Sequence, residues 1–148
     1  MNRKFMEAAL LKAKEAAKIG EVPIGAVVVK NGEIISAAHN LTESTKDPTA
    51  HAEVLALRAA ANALGDFRLS GCELYVTLEP CPMCAGAALN ARVSEVVFGA
   101  FDPQKGALDS ALNMYSFNLP NKPTVYGGIM EKECLELLQS FFKERREK

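Results

Sequence analysis

His51-Ala52-Glu53 and, about thirty residues later, Pro80-Cys81-Pro82-Met83-Cys84 supply one imidazole, two thiols and one carboxylate. The imidazole and the thiols suit a zinc ion, and a catalytic zinc commonly keeps three protein ligands and leaves its fourth position to water. Zinc lowers the pKa of such a water toward neutrality. Glu53 is expected to take the proton, then deliver protons to a ring nitrogen and a departing amine, acting first as base and then as acid. The chemistry indicated is hydrolysis at a carbon that bears an amino group. Cys81 and Cys84 are three residues apart, so on a helical turn both sulfurs can face one point. A helix N-terminus carries partial positive charge, which favours thiolates there. Glu53 lies two residues from His51 and points in a different direction, so it can stand beside the metal without ligating it.

Two other readings use part of this pattern. A lone C-x-x-C after a strand also fits a thioredoxin-like redox pair. A structural zinc would need a fourth ligand, from Cys72, Cys134 or His39, none of which has a convincing spacing. Neither reading has a use for Glu53.

The elements that must position these residues follow from hydrophobic periodicity. A first helix is expected from about Asn2 to Ile19, with Phe5, Met6, Ala9, Leu10, Ala13, Ala16 and Ala17 on one face and Gly20 ending it. Ile24 to Val29 reads as a strand. Asn31-Gly32 is a strong hairpin signal, and Glu33 to Ala38 is the returning strand. Leu41 to Thr49 is a polar loop. A helix starting near Thr49 or Ala50 runs to about Leu64, stopped by Gly65. Glu73 to Leu78 is a strand. Pro82 suits the first turn of the next helix, which continues to about Arg92. Glu95 to Gly99 is another strand. Residues 101–123 form a long irregular loop with some local helix. Thr124 to Tyr126 is a short last strand. Glu131 to Arg146 is a helix with Leu135, Leu138, Phe141 and Phe142 as its apolar positions. Strands alternating with helices predict an α/β domain: a three-layer α/β/α sandwich around a mixed five-stranded sheet.

The chain has 148 residues, enough for one domain over residues 1–148 with one substantial core. Half its residues are apolar and its net charge is −1, so there is no global basic signature of a nucleic-acid binder. The stretch Lys143 to Lys148 is locally basic. No apolar run approaches the roughly 20 residues that span a bilayer. The first twenty residues lack the apolar centre of a secretory signal, which points to the cytoplasm. In that reducing compartment Cys72 and Cys134 are expected to be buried, inert thiols.

The sequence resembles the zinc-dependent cytidine deaminase-like superfamily, and within it the bacterial tRNA-specific adenosine deaminases. The segments that carry the likeness are Gly20 to Ala26 (GEVPIGA), Asp47 to Glu53 (DPTAHAE), Arg68-Leu69, Leu74 to Ala87 (LYVTLEPCPMCAGA), Val97 to Ala100 (VFGA), and Phe141-Phe142 with Arg145. The signature H-x-E…P-C-x-x-C is the established mark of zinc deaminases that act on nucleobases. The resemblance implies His51, Cys81 and Cys84 as ligands of one zinc per subunit, and Glu53 as proton shuttle. It implies that Asn40 contacts the target base or its ribose. Pro23, Ala26 and Ala52 would line the base pocket, and Asp102 and Lys105 would lie near the substrate. It further implies a homodimer, for which Ala85, Gly86, Ala87, Ala88 and Ala91 would permit close helix packing. The activity implied is conversion of adenosine to inosine at the wobble position of a tRNA anticodon stem-loop. Three places depart from the family pattern: Asp109 before Ser110 where a glycine is usual, Asn121-Lys122, and Asn113 to Asn118. A carboxylate near a phosphate path costs binding. Asp109 and the near-neutral charge therefore keep open a deaminase of a free nucleobase or nucleoside, such as guanine, cytosine or an adenine derivative. A non-catalytic zinc or RNA-binding module is a third reading, one that leaves Glu53 without a role.

Overall fold

The computed structural model describes residues 1–147. Helix α1 (Arg3–Lys18) leads into strands β1 (Gly25–Lys30) and β2 (Glu33–His39), then a single helical turn α2 (Thr42–Thr45) and helix α3 (Ala52–Leu64). Strand β3 (Cys72–Leu78), helix α4 (Pro82–Ala91), strand β4 (Glu95–Ala100), strand β5 (Thr124–Tyr126) and helix α5 (Glu131–Glu147) complete it. The sheet order is β2-β1-β3-β4-β5. β1 is antiparallel to both β2 and β3, whereas β3–β4 and β4–β5 are parallel. The mixed five-stranded sheet expected from the sequence is present.

The hairpin forms where Asn31-Gly32 stand. Their φ angles are 51° and 78°, the two positive values that a tight turn between right-twisted strands requires. β1 is buried on both faces, and successive side chains divide between two cores as the period of two demands. Ala26 and Val28 enter one core, Val27 and Val29 the other. Leu74 and Val76 of β3 and Val96 and Phe98 of β4 join the first core, under Ala52, Ala56, Ala60, Ala85 and Ala88 of α3 and α4. Tyr75 and Val97 join the second, under Phe5, Met6 and Ala9 of α1 and Cys134 and Leu138 of α5. Alanines on α3 and α4 bring these two helices close to the sheet, and the residues they carry at their N-termini come close to each other.

Helix α3 begins at Ala52, two or three residues later than expected. Asp47 Oδ1 accepts hydrogen bonds from the Thr49 amide and hydroxyl, an Asx turn that holds residues 47–49 off the helix. His51 is left extended (φ −78°, ψ 150°) as the residue before the first turn. Among the described residues no helix is long and apolar enough to cross a membrane.

Candidate metal and substrate site

Both halves of the signature sit at helix starts on the same side of the sheet. His51 caps α3, with Glu53 as its second helical residue. Cys81 caps α4, with Pro82 first in the helix and Cys84 third. His51 Nδ1 lies 3.6 Å from Cys81 Sγ and 3.4 Å from Cys84 Sγ, and the three donor atoms all fall within 4.8 Å of one another. Zn–S near 2.3 Å and Zn–N near 2.05 Å in tetrahedral geometry put N and S about 3.6 Å apart. The donors therefore stand at the separations that one tetrahedral ion needs. Among the described residues no fourth His, Cys, Asp or Glu joins this group. Cys72 and Cys134 are buried elsewhere, and burial raises both thiols, Cys134 to about 12. They are the inert thiols expected of them.

The acid–base balance of the cluster calls for a cation. The hydrogen bond from the Cys84 thiol, with a second from His51, outweighs burial, which raises the group, and brings Cys81 down to about 3. The same Cys81–Cys84 bond, with burial, drives Cys84 far up. Without an ion only one of the two sulfurs ionises easily, and a divalent ion is what makes both good thiolates. Cys81 also raises His51. Glu53 is 4 % exposed, and burial lifts its carboxyl to about 7. That is the range in which a group can both accept and return a proton near neutral pH.

A cavity of about 720 Å³ opens over this cluster, a usual size for a small-molecule or base pocket. His51, Glu53 and Cys81 form its floor, Val22, Ile24, Asn40 and Thr42 one wall, and Phe101 to Lys105 the other. The third wall comes from α5: Leu135, Leu138, Gln139, Phe142 and Arg146. Of the residues expected near substrate, Asn40, Asp102 and Lys105 are therefore brought to the cavity. Pro23 is buried between the wall residues Val22 and Ile24. Ala26 and Ala52 are fully buried in the core beneath the floor. Helix α5 differs from its expected pattern, because Leu138 and Phe141 are buried whereas Leu135 and Phe142 are 38 % and 44 % exposed along the cavity. Ala85, Ala88 and Ala91 pack into the chain's own core, and Gly86 and Ala87 are half-buried.

Asn40 is tied in place from two sides. Its amide N–H donates to the Ile24 carbonyl at 3.1 Å, and its Oδ1 accepts from the Ala52 N–H at 2.8 Å. Ala52 carries one of the donors that α3 cannot satisfy internally. Because the oxygen faces the helix, the Asn40 amide group is oriented with its N–H donors on the cavity side.

Two buried carboxylates that sequence reasoning gave no role hold the walls. Glu21, fully buried, accepts from the Glu43 and Ser44 amides at 3.1 and 2.6 Å and from the Ser44 hydroxyl. It thereby fixes α2, whose first residue, Thr42, lines the cavity with Asn40. Glu79, 2 % exposed, accepts from the amides of Asp102, Leu108, Asp109 and Ser110 and from the Ser110 hydroxyl. Burial would raise both carboxyls, yet the hydrogen bonds outweigh it and hold both below the ordinary range. Asp109, singled out in the sequence for its charge, is exposed, and its backbone N–H is part of the Glu79 anchor.

Known proteins resemble this chain over nearly its whole length. The family of MafB19-like deaminases matches residues 1–146. The tRNA-specific adenosine deaminase of Bacillus subtilis (strain 168) is 51 % identical over 147 residues, covering 97 % of this chain and 90 % of that one. A solved structure from studies of A-to-I editing by tRNA:A34 deaminases at the wobble position of transfer RNA is 46 % identical. It covers 93 % of this chain and 100 % of that one, with a TM-score of 0.90. A guanine deaminase structure from Bacillus subtilis is 33 % identical, covering 99 % of this chain and 95 % of that one, with a TM-score of 0.65.

Proposed function

The chain belongs to the tRNA-specific adenosine deaminases of the MafB19-like deaminase family, and we propose on that premise that it converts adenosine to inosine at the wobble position of a tRNA anticodon loop. The observation that carries the chemistry is the His51–Cys81–Cys84 cluster beside a buried carboxyl held near neutrality. The likeness to tRNA deaminases, higher in identity and in TM-score than that to the guanine deaminase, favours the tRNA substrate over a free base.

His51, Cys81 and Cys84 would hold one zinc per subunit, since a thiolate-rich set favours that ion. Zinc there supplies a water that is acidic enough to attack at neutral pH. Glu53 takes one proton from the attacking water and gives it to the ring nitrogen of the base, then takes the second from the hydroxyl now on the ring carbon and gives it to the amino group, which leaves as ammonia. Burial gives its carboxyl the intermediate acidity that both transfers need. Asn40, oriented by its bond to the α3 N-terminus, offers N–H donors to the base or its ribose. A base in a loop must be splayed out to reach such a pocket, and Phe101, Leu135 and Phe142 supply the apolar surface that receives it. Asp102 and Lys105 stand at the rim to meet the sugar and phosphate. A homodimer belongs to the same reading, supported by exposed Met83 on α4 and exposed Leu112 and Phe117 in the loop after β4. Light scattering of the purified protein measures it.

The deciding experiment incubates zinc-loaded protein with an anticodon stem-loop bearing adenosine at the wobble position. Inosine in the digested RNA is the expected result. Ammonia release from guanine or a free nucleoside, with no inosine in the RNA, would move the substrate to the free bases.

A further inference from the structure

Glu79 follows the last residue of β3 and precedes Pro80-Cys81, the turn that carries a metal ligand. Its backbone N–H donates to the Ala100 carbonyl at 2.8 Å, joining the ends of β3 and β4. Its carboxylate collects five donors from one loop. Oε1 accepts from the Asp102 amide at 3.1 Å and from the Ser110 hydroxyl. Oε2 accepts from the amides of Leu108, Asp109 and Ser110 at 3.1, 2.8 and 2.9 Å. The next residue continues the pattern, since the Pro80 carbonyl accepts from the Ala107 amide at 2.9 Å. Between these contacts the chain passes so close to the carboxylate that a Cβ on Gly106 would stand 2.3 Å from it. Residues 102–110 are thus wound around the residue two places before Cys81, and the same loop supplies Asp102, Pro103, Gln104 and Lys105 to the cavity wall.

Resting on the active-site reading above, we propose that Glu79 is a positioning residue for substrate binding. Glu79 also borders the cavity, but both of its carboxylate oxygens are taken up by donors of the 102–110 loop, and it acts on the substrate through the 102–105 rim, which it fixes at a set distance from the metal-bearing turn. Five convergent donors on one acceptor hold the loop rigid, and a rigid rim loses less freedom when substrate docks. A carboxamide in this place cannot serve all five. Turned with its NH2 toward the Oε1 side, it can donate to the rotatable Ser110 hydroxyl but opposes the Asp102 N–H with another donor. The rim is released at Asp102, where it enters the cavity.

The test compares Glu79→Gln, Gly106→Ala and Glu79→Asp with wild type on the same substrate. Zinc stoichiometry and hydrogen exchange of the 102–110 segment are measured alongside kinetics. Glu79→Gln is expected to keep one zinc and to lose exchange protection in 102–110 while α1 and β1 stay protected. KM should rise about tenfold, the loss of one hydrogen bond to a charged group, with kcat changed less than about threefold. Gly106→Ala, which presses on the carboxylate from the other side, should give the same split, and it serves if Glu79→Gln does not fold. Glu79→Asp, which keeps the charge, should recover part of the protection and of KM. Loss of zinc in both Glu79→Gln and Gly106→Ala would overturn the proposal, because the residue would then serve the metal turn. Unchanged KM with unchanged protection would overturn it too. All comparisons are relative to wild type on whichever substrate it deaminates, so failure here is distinct from failure of the tRNA assignment.

Discussion

Asn40 does two jobs with two ends of one amide, and substitution can separate them. The oxygen accepts the Ala52 N–H at 2.8 Å with both residues buried, so Asn40→Ala strands a buried donor at the start of α3. An unmade bond of that kind costs about 1–3 kcal/mol. For a chain of this size each kcal/mol shifts the melting temperature by about 2–4 °C, so Asn40→Ala should lower Tm by roughly 2–12 °C. The freed segment includes His51, and outer partners of metal ligands typically contribute 10–100-fold in affinity, so zinc binding should weaken in that range. Asn40→Asp keeps an acceptor for Ala52 N–H, and its charge is favoured by the α3 N-terminus although it meets Glu53. Its Tm should therefore lie above that of Asn40→Ala. It has lost the N–H donors on the cavity side and added a charge there, and its kcat/KM should fall by about 10²-fold, equivalent to about 2.7 kcal/mol of lost transition-state binding. Thermal melts by circular dichroism, zinc titration and inosine formation measure the three quantities. If Asn40→Asp retained wild-type kcat/KM, the substrate role of the amide would be wrong. If Asn40→Ala retained wild-type Tm and zinc affinity, the capping role would be wrong.

Glu53→Gln preserves size and burial but not proton transfer, so kcat should fall by about 10²–10⁴-fold with zinc still bound at wild-type stoichiometry. Retained turnover would remove Glu53 from the mechanism. Cys84→Ala should bind no zinc after dialysis, and a chelator should lower the Tm of the wild type but not of this variant; equal chelator sensitivity would reject the ligand set. Glu21, held below its unfolded pKa of about 4.3 by the Ser44 hydroxyl and the Glu43 and Ser44 amides, adds stability that is present above that pKa and is lost as pH falls through its folded value. Glu21→Gln should therefore be less stable than wild type at pH 7, with the gap closing on acidification below about pH 4; a gap independent of pH would contradict the anchoring role.

What could be read from the sequence was what residue type alone makes rare. Histidine, cysteine and a nearby glutamate at fixed spacing announce a metal site, because few other arrangements need them together. The strands and the hairpin were visible because β1 and β4 are unbroken apolar runs and Asn31-Gly32 has one conformational use. The start of α3 was misplaced because the donor at its N-terminus is satisfied by Asn40, twelve residues away, and not by a local Ser, Thr or Asp. Glu21 and Glu79 passed without a role because a carboxylate in sequence looks like surface, and what buries them are backbone amides, which every residue has. A weak signal existed for Glu79: an acidic residue that continues an apolar strand directly into Pro80-Cys81. The cavity wall on α5 is legible only as the apolar positions Leu135, Leu138, Phe141 and Phe142, since periodicity marks an apolar face but not that an open pocket lies against it.

The three ligands are all present once the chain has passed residue 84, but the wall formed by Leu135, Leu138, Gln139, Phe142 and Arg146 comes more than fifty residues later. Holding metal and receiving a base are therefore separate acquisitions along the polypeptide. A preparation clipped within α5 would still present every ligand and could pass an elemental assay while lacking a side of its binding chamber. Metal content is for this reason an incomplete criterion of intactness, and turnover normalised to the fraction with an undamaged last helix is the sound one.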